Sequence, residues 1–98
     1  MTIIEINDNK IDIRGHSGYG AKGNDIVCSA ISTLTEATYN YLIALDNDVN
    51  CDEDDGIFTM YLNVINCSGD KIIKSFTSMV DELEEQYPEF IRRKKWSN

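Results

Sequence analysis

Cys28 and His16 stand twelve residues apart within Gly15 to Ser32, GHSGYGAKGNDIVCSAIS, and as residue types they pair a nucleophile with a base. The stretch holds the only His of the 98-residue chain, one of its three Cys and four of its six Gly. A thiol in the first turn of a helix meets the partial positive charge of unpaired amides, which favours the thiolate, and a neighbouring imidazolium favours it further. The chemistry open to such a pair is acyl transfer. The thiolate attacks a carbonyl, the imidazolium protonates the leaving amine, and the neutral ring then activates the water that releases the product. Amides at the helix start are candidate donors to the oxyanion. Only folding can bring the two groups together, and a strand end followed by a returning helix start is a connection that can do it.

Other chemistries fit less well. A glycine-rich loop before a helix can cradle phosphate, but neither GxGxxG nor GxxxxGK[ST] is present. A cysteine phosphatase needs an Arg a few residues after the nucleophile to hold the phosphate, and Ser29 to Leu34 has none. Three Cys far apart, with no CxxC and a single His, favour neither a disulfide framework nor a zinc site; Asp46 to Gly56 lacks the spacing of a calcium loop. No metal or cofactor is expected. Cys51 and Cys67 sit in or beside strand-like segments without a catalytic partner and read as structural or incidental. A lone Cys on a helix is most often a small core residue and a lone His a surface one, so the pair alone leaves a structural role open.

The elements that must position the pair follow from periodicity. Thr2 to Ile6 is β-branched and short, Asn7-Asp8-Asn9 is turn chemistry that tolerates positive φ, and Ile11 and Ile13 alternate with Asp12 and Arg14, so a hairpin opens the chain. Strand alternation puts His16 on the Asp12 and Arg14 side. The glycines through Gly23 predict a mobile loop, Asn24 is the expected N-cap, and the helix starts at about Asp25, whose charge suits the helix dipole. Val27, Ala30, Ile31, Leu34, Ala37, Thr38, Tyr41, Leu42 and Leu45 form its apolar stripe, with Cys28 on the edge. A short edge strand within Asp46 to Gly56, a turn at Asp54-Asp55-Gly56 and a strand over Ile57 to Ile65 come next. Ser68 or Asp70 caps a second helix with Ile72, Phe76, Met79, Leu83 and Tyr87 inward, ended by Pro88; Phe90 and Ile91 either add a last strand or trail from the body. The expected fold is α+β, one domain over 1–98, a two-layer sandwich in β-β-α-β-β-α order with helices on a mainly antiparallel sheet.

Seventeen acidic against nine basic residues leave a net charge of −8, which argues against nucleic-acid binding, since that rests on Lys and Arg at phosphates. The acidity concentrates at Asp46 to Asp55 and Asp81 to Glu85, and Arg92 to Lys95 is a short basic cluster. No stretch approaches a membrane span and the opening residues do not read as a signal peptide, so the expected compartment is the cytoplasm, without membrane contact. So short a chain builds a modest core, for which a second copy is a natural supplement.

GHSGYGAKGNDIVCSAIS, with Gly15-His16, Gly23, Asp25, Val27-Cys28 and Ala30 through Ser32 at these spacings, resembles the signature of the bacterial ribosomal-processing cysteine protease (Prp) family. The likeness runs across the whole chain, including Glu85-Gln86-Tyr87-Pro88. It implies a dimeric cytosolic endopeptidase that removes the short hydrophobic N-terminal extension of large-subunit ribosomal protein number twenty-seven. By position, His16 is implied as general base and Cys28 as nucleophile, Asp25 and Ser32 match family positions that support the site, and Gly18, Gly20 and Gly23 belong to a mobile loop that covers it. Asp25 reads as well as plain helix-dipole stabilisation. No third group that orients His16 is evident. A negative enzyme suits a basic ribosomal protein through long-range steering that weakens with salt. The competing reading is a non-catalytic, ribosome-associated module that holds a peptide in the same cleft.

Overall fold

The computed structural model describes residues 1–21 and 25–94. Its elements are β1 (Thr2–Ile6), β2 (Lys10–Arg14), α1 (Ile26–Ala44), β3 (Asp48–Asp54), β4 (Ile57–Val64), α2 (Cys67–Gln86) and β5 (Ile91–Lys94). The strands form one sheet in the order β3-β4-β2-β1-β5, antiparallel except where β5 runs parallel to β1. This is the expected two-layer α+β arrangement, and Phe90-Ile91 leads into a fifth strand.

The register explains the layers. Ile4 lies opposite Ile13, Ile13 opposite Phe58, and Ile11 opposite Met60, so these side chains share one face. Against them pack Val27, Ile31 and Leu42 of α1 with Phe76 and Val80 of α2, all buried in one cluster. The β1–β2 turn is closed by the Asn7 side chain, which accepts from the N–H groups of Asn9 and Lys10, with no positive φ in it. The β3–β4 hairpin has Asp55 and Gly56 both at positive φ, the primed turn that matches strand twist.

Several expected details shift. The N-cap of α1 is Asp25, not Asn24, and the helix starts at Ile26; Asn24 lies outside the described residues. The cap of α2 is Asn66, whose side chain accepts from Gly69 N–H, ahead of Ser68 and Asp70. Cys67, just beyond β4, is thus the first helical residue. Tyr41, Leu45 and Met79 are exposed rather than core. Thr35 and Thr38 are buried on α1 because each hydroxyl donates to the carbonyl one turn back, Ile31 and Leu34. Asn47 joins the helices: its amide donates to Leu42 O and its carbonyl accepts from Asn66 N–H.

Candidate active site

Strand β2 ends at Arg14 and is followed by Gly15, whose φ of 83° belongs to glycine and whose added Cβ would lie 2.8 Å from the Met1 carbonyl oxygen. The bend stops the strand alternation. His16 therefore leaves the side predicted for it and lines, with Ile13 and Cys28, a small cavity of about 160 Å³ on the helix-facing side of the sheet. The ring is exposed, and its Nε2 lies 3.9 Å from where a Cβ on Gly56 would stand, beside the β3–β4 turn. A larger cleft of about 460 Å³ is lined by His16 and Cys28 together with Gly18, Gly20, Asp25 and Ser32. The fold thus gathers every described residue expected at the site. Gly23 lies outside the described residues.

Cys28 is half-buried in the first turn of α1, where Asp25 organises the main chain. Asp25 Oδ1 accepts the Cys28 N–H at 2.9 Å. Its Oδ2 accepts the Ser17 hydroxyl at 2.5 Å and the Gly20 N–H at 3.2 Å. The Ser17 hydroxyl, opposed by burial and seconded by the Cys28 and Gly20 N–H groups, holds the Asp25 carboxyl far below the usual carboxylate range. Asp25 is therefore more than a dipole partner. It ties the loop to the helix end that carries the thiol.

Ser17 is the residue that sequence reasoning missed. Only 2% exposed, it donates its N–H to Cys28 Sγ at 3.4 Å, and its hydroxyl lies 3.6 Å from the same sulfur. Its hydroxyl also accepts the Tyr19 N–H at 3.1 Å. The one available signal was a hydroxyl beside the sole His in a run of glycines. The described half of the loop is held further by Tyr19, whose ring packs edge-on against Tyr87 and Phe90 with centroids 5.6 and 5.2 Å away.

Two expectations change in detail. The Cys28 N–H, a candidate oxyanion donor, is already taken by Asp25 Oδ1. The thiol's hydrogen-bond partners are Ser17 N–H and Oγ, not the imidazole, although both side chains line the same cleft. Among the described residues no group of three or more His, Cys, Asp or Glu could hold a metal. The Thr2 hydroxyl, buried without a hydrogen-bond partner among the described residues, belongs to a residue lining the smaller cavity with His16 and Cys28.

Residues 1–92 match the protein family described as Cysteine protease Prp. The chain belongs to the Prp family. It is 30% identical over 84 residues to the Ribosomal processing cysteine protease Prp of Staphylococcus aureus strain Mu50, covering 80% of this chain and 77% of that one. Two crystal structures of the S. aureus Prp, described as an essential ribosomal processing protease, share the fold. One, with a covalently linked product peptide, superposes with a TM-score of 0.81 at 27% identity over 94% of each chain. The other, with a substrate peptide, gives 0.72 at 25% identity over 95% of each. A Prp-family chain is a cysteine protease, and of its three free thiols Cys28 is the one that lines a cavity with His16. Cys51 lies in β3 and Cys67 at the start of α2.

Proposed function

We propose that this protease removes the short hydrophobic N-terminal extension of large-subunit ribosomal protein number twenty-seven, with Cys28 as nucleophile and His16 as acid and base. The observation that carries the reading is the sharing of one cleft by the single His and a thiol at a helix start. His16 takes the thiol proton as substrate seats, the sulfur attacks the scissile carbonyl, and the acyl-enzyme forms as the imidazolium protonates the departing amine. Water, activated by the neutral ring, then releases the acyl group. With the Cys28 N–H held by Asp25, the Ser17 N–H is a main-chain donor near the reacting sulfur. Asp25 acts through the helix end it caps, and Ser32, one turn after Cys28, lines the cleft as a substrate contact.

The enzyme works as a homodimer in the cytoplasm and needs neither cofactor nor direct nucleic-acid contact. Support for the dimer comes from the sheet face away from the helices, where Ile3, Ile57 and Tyr61 stay exposed. No helix among the described residues is long and apolar enough to cross a membrane. The deciding experiment is mass spectrometry of the unprocessed ribosomal protein after incubation with the wild type and with Cys28→Ala. Cleavage at one site by the first alone is expected. Cleavage by both would place the nucleophile elsewhere, and cleavage by neither would point to another substrate or to a peptide-binding role.

A further inference from the structure

The cleft does not end at Cys28. Ser32 also lines a groove of about 530 Å³ between α1 and the β3–β4 hairpin. Its floor is apolar, with Ile13, Ile31 and Phe58, and it carries Glu36 from α1 and Glu53 from β3. Glu53 lines the small cavity at His16 and Cys28 as well, so groove and cleft adjoin across Ser32 and Glu53. Asn40 lines the groove too, and α1 advances about 18 Å from Cys28 to Asn40 at ~1.5 Å per residue. That is the length of about five residues of extended chain at ~3.3 Å each.

The charges here are of one sign. Among the described residues neither Glu36 nor Glu53 has a salt bridge, and no Lys or Arg lines the groove. A Lys or Arg side chain suits both parts, because its aliphatic stem covers apolar floor while its head meets a carboxylate. We propose that this groove receives the extended substrate segment on one side of the scissile bond, and that Glu36 and Glu53 select a Lys or Arg within it. The proposal rests on Cys28 being the nucleophile, since that places the groove next to the bond that is cut.

The test uses two synthetic peptides: the junction between extension and mature chain of the ribosomal protein, and the same peptide with every Lys and Arg replaced by Gln. The wild type should cut the first with a kcat/KM about tenfold higher, the order expected of two partly exposed ion pairs. In Glu36→Gln/Glu53→Gln the ratio between the two peptides should fall towards one, and added salt should do the same to the wild type. Cys51 also lines the groove and is free and exposed, which gives a readout independent of catalysis. In Cys28→Ala, saturating peptide should slow alkylation of Cys51 and leave Cys67 unchanged. An unaltered peptide preference in the double variant, or equal labelling of Cys51 with and without peptide, overturns the proposal. Failure of the wild type to cut either peptide would instead sink the assignment of substrate and nucleophile, and the Cys51 labelling would still decide the groove.

Discussion

The Ser17 hydroxyl donates to Asp25 Oδ2 at 2.5 Å, while the N–H of the same residue donates to the Cys28 sulfur at 3.4 Å. One residue so joins the helix cap to the thiol. The two bonds separate on mutation, because Ser17→Ala removes the hydroxyl and keeps the N–H. The variant should melt lower by roughly 4–8 °C, as for loss of about one good hydrogen bond in a domain of this size. Its Cys28 should still alkylate within about threefold of the wild-type rate, since the main-chain donor and helix end remain. Thermal melts and timed alkylation read the two effects; a much larger loss of thiol reactivity would mean that the hydroxyl itself governs the sulfur.

Asp25 fixes a pH dependence of stability. Its carboxyl titrates far below an unfolded-state value of about 3.9, so the folded chain holds the charged form more strongly than the unfolded one. The stabilisation is complete above pH 4 and is lost as pH falls through the folded value. Asp25→Asn can still accept from the Cys28 N–H, yet it lacks a second carboxylate oxygen for the Ser17 hydroxyl and the Gly20 N–H. Its melting temperature should lie below the wild type by a constant amount between pH 5 and pH 8, and the gap should close progressively below pH 4. A gap that widened on acidification would reverse the assignment.

Reactivity should single out Cys28 among the three free thiols. Cys51 and Cys67 are more exposed, so exposure alone predicts that they alkylate faster. An activated thiol beside His16 reverses that order near neutral pH, with Cys28 ahead by about tenfold, and His16→Gln should restore it. Peptide mapping of partly alkylated protein gives all three rates in one sample. Equal rates in the wild type would leave no activated pair.

The architecture was legible because it rests on strong local signals, and the two residues put forward for chemistry, His16 and Cys28, do line one cleft. Period-two alternation at Ile11 to Ile13 and Phe58 to Leu62, and three-four spacing from Val27 to Leu42, describe faces that the packed sheet and helices use. Caps were less legible, since Asn24-Asp25 and Asn66 to Asp70 each offer adjacent residues able to cap, and a one-residue choice depends on where the loop arrives. His16 was placed on the wrong face because alternation was carried through Gly15, whose positive φ ends it. Ser17 was missed for a related reason: its burial arises from contacts with Asp25 and Cys28 that no local period encodes.

Gly69 tests the junction between the helices. A Cβ there would fall on the Asn47 side-chain amide, which is fixed by its bonds to Leu42 O and Asn66 N–H and so cannot swing aside cheaply. Gly69→Ala should therefore destabilise by about 1–3 kcal/mol despite the better helix propensity of Ala. Denaturant melts measure this, and the pairing Gly69→Ala/Asn47→Ala should be non-additive, since removal of the amide frees the space. Additive losses would show that the contact is not the cause.

Thr2 gives the opposite case, a substitution that should stabilise. Its hydroxyl is buried without a partner among the described residues, in a residue only 2% exposed, whereas its main-chain N–H is satisfied by Phe90 O. Thr2→Val keeps the β-branched shape favoured in strand β1 and replaces the orphaned hydroxyl with a methyl group, so stability should rise by roughly 1 kcal/mol. Because Thr2 lines the small cavity with His16 and Cys28, cleavage is read alongside the melt. Unchanged cleavage with a higher melting temperature is the expected pair of results. A fall in both would mean that the hydroxyl finds a partner in solution, and the cavity shared with His16 is where that partner would lie.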